Sequence, residues 1–199
     1  DPVGLLGIML HNRRRNRMNG LVFHNESGRL GISVVQSFGN CPKYIQTRER
    51  IKRVDRSAVQ AEAINFKDPV LRQWIENSDT FFIASQAQGE GRSAGLDISH
   101  RGGKPGFVWF EDETTLVFPD FSGNFFFNTL GNLKEDPRCG LLWLSDSGGD
   151  LLQVQGLAQV ILDRQAFSYP GAQAFIQVKL VRAQRLRHVS PYDWSLTEI

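Results

Sequence analysis

Three segments of this 199-residue chain hold side chains that could bind an anion. In the densest, residues 97–106, the basic residues Arg101 and Lys104 accompany the hydroxyl of Ser99, the imidazole of His100 and several glycines. If this segment is a loop between two strands, its backbone N–H groups and basic side chains can converge on a phosphate. A solvated hairpin loop has the same composition, so the segment alone leaves both interpretations open.

The second segment starts at Pro119 and contains Ser122, Asn124, Asn128 and Thr129. The N–H groups at the start of a helix attract anions, and hydroxyl and amide side chains on neighbouring turns add donors. The alternative is an ordinary capped helix whose polar residues satisfy local backbone groups.

The third segment is rich in arginine. Because alternate residues of a strand share a face, Arg13, Arg15 and Arg17 would form one strongly cationic face. A charged edge strand that prevents aggregation has the same pattern and is the commoner explanation for such a segment.

The arginine segment belongs to a repeat. Gly4-Leu5-Leu6 is followed by Gly20, and 136 residues later Gly140-Leu141-Leu142 is followed by Gly156 at the same spacing. The first copy has a run of arginines where the second has none. A duplicated unit whose charge has diverged in one copy suggests a site in that copy.

The elements that must position these residues are mostly strands. In the first third, apolar runs bounded by turn residues predict an antiparallel meander of strands at 4–11, 17–24 and 30–37. A short helix at 41–48, a charged linker at 49–56 and helical turns at 58–63 and 69–76 are expected to follow.

From Thr80 onward, strands return. We expect them at 81–85, 106–110, 115–118, 139–145, 151–162 and 174–185, with one helix from Ser122 to about Lys134. Antiparallel strands with one inserted helix favour a mainly β protein, a small closed barrel, with a sandwich as the main alternative. The predicted units are a partial first copy at 1–50, a helical linker at 51–79, a complete barrel at 80–187 and a tail at 188–199.

Composition excludes several classes. The net charge of +2 is too small to indicate nucleic-acid binding, and no apolar run is long enough for a membrane helix. Cys41 and Cys139 fit neither a zinc spacing nor a disulfide framework, which favours reduced thiols in a cytoplasmic protein without a metal site. The abrupt apolar start after Asp1 suggests a fragment or a processed form.

Several ordered motifs across residues 80–187 resemble the FMN-binding split β-barrels related to pyridoxamine phosphate oxidase. They are Ser99-x-Arg101-Gly102, the 107–116 hairpin, Pro119-Asp120-x-x-Gly123-Asn124, Asn132-Leu133-x-x-x-Pro137 and Leu152-x-x-x-Gly156. The first unit is similar to the end of a second such barrel, through Arg17-Met18-Asn19-Gly20 and Cys41-Pro42-Lys43.

The resemblance implies a split barrel, FMN as the cofactor and a homodimer with the flavin in a groove between two barrels. It implies these cofactor-binding residues: Arg17, Asn19, Ser99, Arg101, Gly102, Lys104, Asn124, Asn128, Thr129 and Gln153. Relatives often carry a basic residue shortly after Asn124, where this chain has three phenylalanines at 125–127. Gln153 stands where the strand often carries Arg, so we expect Arg17 of the first copy to take that role in one composite site.

The resulting hypothesis is an FMN-dependent oxidoreductase acting on a small-molecule substrate or a donor such as a reduced nicotinamide cofactor. His100 has a suitable ordinary pKa for acid–base work, although a loop histidine without a catalytic role is the commoner case. The alternative is a non-catalytic module that binds FMN, haem or another planar anion. A third is a degenerate barrel kept for a dimer surface, with Trp109, Trp143 and Trp194 as anchors.

Overall fold

The computed structural model describes residues 1–39, 42–53, 57–88, 95–122 and 128–197, and strands make up most of them. The amino-terminal part contains β1 (Pro2–Met9), β2 (Arg14–Glu26), β3 (Arg29–Gly39), β4 (Arg48–Lys52), β5 (Gln60–Ala63) and helix α1 (Pro69–Asn77). The remainder contains β6 (Thr80–Ala87), β7 (Gly95–Gly102), β8 (Trp109–Phe110), β9 (Thr115–Phe121), helix α2 (Asn128–Glu135), β10 (Arg138–Leu144), β11 (Leu151–Ile161), β12 (Ala172–Arg187) and β13 (Tyr192–Leu196). The predicted mainly β class is confirmed.

The strands form two principal sheets. β1, β2 and β3 make the predicted antiparallel meander, and the larger sheet runs in the order β7-β6-β10-β11-β12-β9-β8, with β5 paired to β12. This path is open in the part of the chain that the structure describes, so the closed barrel expected from the strand count is not observed. One end of the path is the two-residue strand β8, and the other is β7, which packs against β1 and β2.

The core of the larger unit is aromatic. Phe81 stacks on Trp143 at 5.2 Å between ring centroids and meets Phe118 edge-on at 4.9 Å. Helix α1 closes one end of this core with its buried residues Leu71 and Ile75. Because Trp143 is fully buried, it cannot be the surface anchor considered from the sequence.

The sequence repeat is a repeat of strand pairing. β1 pairs with β2 so that Gly4 faces Asn19, and β10 pairs with β11 so that Gly140 faces Gln155, the same register in both copies. A β-bulge follows at Asn19/Gly20 in the first copy and at Gln155/Gly156 in the second. β1–β2–β3 therefore corresponds strand for strand to β10–β11–β12.

The bulge explains the glycine that frames each copy. A Cβ on Gly20 would collide with the carbonyl oxygen of Ser33 on β3, and a Cβ on Gly156 would lie 2.8 Å from that of Lys179 on β12. At both positions the neighbouring strand comes too close for a side chain.

The first sheet docks on the larger unit by the same kind of close approach. β1 and β2 lie against β7, and a Cβ on Gly4 would stand 2.9 Å from the carbonyl oxygen of Leu96. Only glycine at this position lets the two backbones approach so closely. The docking brings the arginine segment of β2 onto β7.

Three segments predicted as a loop, a linker and a helix contain strands. Residues 97–102 form most of β7 and are not a loop, and 60–63 form β5 and are not helical. Of the predicted linker at 49–56, residues 49–52 belong to β4 and 54–56 lie outside the described residues. β4 pairs with β13 inside the presumed tail, and β5 pairs with β12. For β4 and β5, a strand distant in sequence supplies the hydrogen bonds, and β7 pairs with the preceding strand β6. In all three segments strand pairing overrides local propensity.

The expected helix at 41–48 is not observed: residues 43–44 form a turn, the other described residues up to 47 are irregular, and Arg48 begins β4. Helix α1 is confirmed: the Asp68 carboxylate accepts a hydrogen bond from the N–H of Val70 at 2.8 Å, and Pro69 follows as the first helical residue. Helix α2 begins at Asn128, and residues 123–127 of the predicted helix lie outside the described ones. The division into four units stays a prediction.

Candidate functional site

The larger sheet and its helices, which we call the barrel after the predicted unit, meet the first sheet at a buried polar cluster. We call it the Arg17 cluster: Arg17, Asn19, Asp97, Ser99 and Thr129. Arg17 Nη1 donates hydrogen bonds to the two carboxylate oxygens of Asp97 at 2.9 and 2.7 Å, and to Ser99 Oγ at 2.8 Å. Asn19, two residues along on the same face of β2, reaches Asp97 Oδ1 at 3.4 Å. Arg17 and Asp97 are only 5% and 3% exposed.

Helix α2 completes the Arg17 cluster. The hydroxyl of Ser99 lies 2.9 Å from that of Thr129 and 3.2 Å from Asp97 Oδ2. Four of the residues predicted from the sequence, Arg17, Asn19, Ser99 and Thr129, thus meet from three separate elements. The carboxylate at their centre, Asp97, was not predicted as a site residue.

Arg101 forms a second buried pair. It follows Ser99 by two residues on β7, and its Nη2 lies 3.2 Å from Asp120 Oδ1 on β9. Burial lowers the pKa of Arg101, and the Asp120 carboxylate opposes this shift. Arg101 Nε is buried and has no hydrogen-bond partner among the described residues.

The space beside Arg101 is very small. Tyr44, Lys43 and Phe121 close over it and leave a cavity of about 10 Å³. A volume of this size holds at most one water molecule. The described residues around Arg101 therefore leave no room for a ligand in this cavity.

His100 points to the other face of β7, where its ring meets Phe82 edge-on at 5.7 Å. Burial, and then the nearby cations Arg15 and Arg101, lower the pKa of His100 to about 3. The imidazole is therefore neutral near pH 7 and has no proton to give as a general acid.

The remaining predicted residues do not join the Arg17 cluster. Lys104 lies exposed in the turn after β7, and Gln153 on β11 accepts a hydrogen bond from Gln184 at 2.6 Å. At Gly102 a Cβ would strike the carbonyl oxygen of Tyr44, so this glycine permits close chain packing. Asn128 is the first residue of α2, and Asn124 lies outside the described residues.

A groove of about 620 Å³ opens next to the Arg17 cluster, between the first sheet and the barrel. We call it the junction groove. Its described lining comprises amide, apolar and small residues and one arginine: Asn19, Gln36, Gln86, Gln88, Pro2, Leu21, Val35, Ala87, Leu96, Gly20, Gly95 and Arg138. Its volume lies within the range of roughly 300–1,000 Å³ typical of ligand sites.

A second large cavity, of about 600 Å³, lies near helix α1 and β13, between Trp74 and Trp194. Its basic residue, Arg48, is already paired with Asp79 at 2.5 Å and with Asp146 at 3.2 Å. Among the described residues, those predicted from the sequence to bind a cofactor do not line it.

Across the ranges that the structure covers, no three His, Cys, Asp or Glu residues come together as metal ligands could. Within the same ranges, neither helix has the length and apolar character needed to cross a lipid bilayer.

Comparison with known proteins gives one family. The sequence model of the family described as pyridoxamine 5′-phosphate oxidase matches residues 68–192. No curated protein matches the chain.

Several solved structures align with part of this chain. A variant of HupZ from Group A Streptococcus aligns with a TM-score of 0.44 and 10% identity over 59% of this chain and 97% of its own. An FMN-binding protein from Syntrophomonas wolfei aligns with a TM-score of 0.43 and 16% identity over 60% of this chain and 83% of its own. Since both TM-scores lie below 0.5, the family assignment depends on the sequence match.

Proposed function

Because the chain belongs to the pyridoxamine 5′-phosphate oxidase family, as its motifs suggested, we propose that it is a flavoprotein that holds FMN in the junction groove. The observation that carries this proposal is the composite groove itself. β2 and β3 of the first copy form one wall, and β6 and β7 of the barrel form the other. The repeat thus supplies from within one chain the second wall that a single barrel lacks.

The groove residues fit the ring system of a flavin. An isoalloxazine ring is flat and apolar on its faces and carries hydrogen-bond donors and acceptors along one edge. Leu21, Val35 and Leu96 offer apolar contact, and Gln86 offers an amide donor and acceptor. Asn19 offers its acceptor only, because its Nδ2 already donates to Asp97. Asn19 Oδ1 is buried without a hydrogen-bond partner among the described residues, so the groove wall has an acceptor to spare.

FMN, when bound, would supply the redox chemistry, accepting a hydride or electrons from a donor such as a reduced nicotinamide cofactor. The chain's own residues would bind and orient the ring. The described lining contains no His, Cys, Asp, Glu or Tyr, so general acid–base catalysis does not come from these residues. We therefore propose an oxidoreductase whose chemistry depends on the cofactor.

The same observation favours the second candidate, a non-catalytic flavin-binding module. A lining without an acid or base suits storage or assembly as well as electron transfer. Haem is less suitable, because the described lining offers no histidine or cysteine as an axial ligand.

The homodimer implied by the resemblance is part of the proposal. On the second copy, the surface around Leu157 and Val181, the counterparts of Leu21 and Val35, is exposed, with the two residues 46% and 59% accessible. Light scattering after gel filtration tests the dimer separately. A monomeric protein would contradict the dimer but not the groove, because the groove lies within one chain.

The absorbance spectrum of the purified protein and an FMN titration test flavin binding. Asn19→Leu should weaken FMN binding about tenfold or more, because it removes a groove amide. Gln155→Leu, the equivalent change in the second copy, is the matched control and should leave affinity unchanged.

A colourless protein that takes up no FMN would contradict the proposal. If the yellow protein is bleached by a reduced nicotinamide cofactor, it is an oxidoreductase. If the bound flavin resists every donor tried, the binding module is correct.

A further inference from the structure

We propose that Asp97 determines the ligand specificity of the junction groove: its carboxylate occupies Arg17, Asn19 and Ser99 as an internal anion, so the groove selects a flavin by its ring and not by its phosphate. This inference rests on the proposed flavin binding and deepens it. It also departs from the family resemblance, which implies that Arg17, Ser99 and Arg101 serve the cofactor directly.

The donors of the Arg17 cluster converge on one carboxylate. Arg17 contacts both oxygens of Asp97, and Ser99 and Asn19 add one contact each, at 3.2 and 3.4 Å. This is the donor set that a phosphate oxygen would require, a guanidinium with hydroxyl and amide groups. In this structure a side chain of the protein has taken that place.

Charge makes it unfavourable for a ligand phosphate to bind next to Asp97. Arg17 is balanced by Asp97, and Arg101 by Asp120, at 2.7 and 3.2 Å. A phosphate dianion brought next to Asp97 would meet a buried negative charge 3% exposed to solvent. Repulsion between like charges in a buried site lowers the affinity for the charged ligand severalfold or more. Binding sites use such repulsion to reject unwanted ligands.

The groove offers little to replace these donors. Among its described lining residues the only basic side chain is Arg138, which is 66% exposed and paired with Asp136 at 2.5 Å. Exposed ion pairs contribute little to binding. The phosphate of FMN should therefore add little affinity beyond that of the ring and ribityl chain.

The experiment compares FMN with riboflavin, which lacks the phosphate, by fluorescence titration of the full chain. For the wild type we expect dissociation constants within about threefold of each other. In Asp97→Asn the carboxylate charge is gone and Arg17 is released, so FMN should gain about tenfold or more over riboflavin. The matched control is Asp79→Asn, which alters the buried Arg48–Asp79 pair away from the junction groove and should leave the ratio unchanged.

Two results would overturn the inference while leaving flavin binding intact. One is a wild-type protein that prefers FMN by more than about thirtyfold. The other is Asp97→Asn with the same FMN-to-riboflavin ratio as the wild type. The wild-type ratio needs no variant, so it decides the question even if Asp97→Asn does not fold.

If the wild type binds neither flavin, the proposed function fails, and thermal unfolding in inorganic phosphate decides the fate of the inference. Phosphate should raise the melting temperature of Asp97→Asn clearly more than that of the wild type or Asp79→Asn, because it can fill the vacated anion position. Equal shifts for all three proteins would refute the role of Asp97.

Discussion

Removing Arg17 should separate the first sheet from the barrel. In Arg17→Met, Asp97 remains buried with only the longer contacts to Ser99 and Asn19, at 3.2 and 3.4 Å. Breaking a buried ion pair by deleting one partner costs about 3–5 kcal/mol. Arg17 also lies 5.0 Å from the centroid of the Phe38 ring, a cation–π contact that adds about 0.5–1 kcal/mol.

For a chain of this length, each kcal/mol lowers the melting temperature by roughly 2–4 °C, so a fall of about 7–24 °C is expected from the two terms together. Gln153→Met makes the same change at the equivalent position of the second copy. It removes one half-buried hydrogen bond, to Gln184, and should cost no more than about 1.5 kcal/mol. Urea unfolding of both variants gives the free energies directly.

The double variant Arg17→Met/Asp97→Leu isolates the pair. Because it leaves no buried charge unpaired, it should be more stable than Arg17→Met alone, with a coupling energy of at least about 2 kcal/mol. The explanation would be refuted if Arg17→Met were no more destabilising than Gln153→Met, or if the coupling energy fell below about 0.5 kcal/mol.

Three other substitutions test the backbone, the buried imidazole and the buried thiol. Gly20→Ala should destabilise the fold by about 1–3 kcal/mol in thermal unfolding, because its Cβ meets the neighbouring strand. The control Gly131→Ala, in an open helical position, should stabilise the fold by up to about 1 kcal/mol. Similar effects of the two substitutions would contradict the bulge. Burial lowers the pKa of His100 from 6.5 to about 3, so only the unfolded state binds this proton as the pH falls below 6.5. About 3 kcal/mol of stability should therefore be lost by about pH 4.5, and His100→Gln should show a correspondingly smaller loss in urea titrations; parallel curves would rule this out. Burial raises the pKa of Cys139 to about 12, so in a Cys41→Ser background Ellman's reagent should label it only after denaturation, and rapid labelling of the folded protein would show the thiol to be accessible.

Much of the fold could be predicted from short-range patterns. The turn residues and apolar runs located the meander of the first copy, and Asp68 with Pro69 located the start of α1. The repeated glycines were visible in the sequence, but their cause, a bulge facing a close neighbouring strand, depends on β3 and β12.

Strand β7 was not predicted, because the alternate residues that form its buried face are polar. Asp97, Ser99 and Arg101 share one buried face, so the strand lacks the apolar period that signals burial. Read as a loop, the same residues suggested a phosphate site open to solvent. The period of two in Asp97, Ser99 and Arg101 was the available sign of a strand, and it would also have placed the carboxylate beside the cations.

Most residues of the candidate site could be predicted from the sequence, but the pairing of their charges could not. The divergence of Arg17 from Gln153 pointed to a composite site, and Arg17 does meet Ser99 across the copies at 2.8 Å. The sequence could not show that Asp97 and Asp120 neutralise the two arginines, because these pairs join separate strands. The groove depends on Leu96 and Gln36, which no motif marks.

The central claim is that the groove between the first copy and the barrel holds a flavin ring. A crystal structure of the protein grown with FMN tests it most directly. We predict ring density between Asn19 on β2 and Leu96 on β7, with the Arg17–Asp97 pair intact. Ring density in the cavity between Trp74 and Trp194, or a phosphate bound to Arg17 in place of Asp97, would contradict the claim.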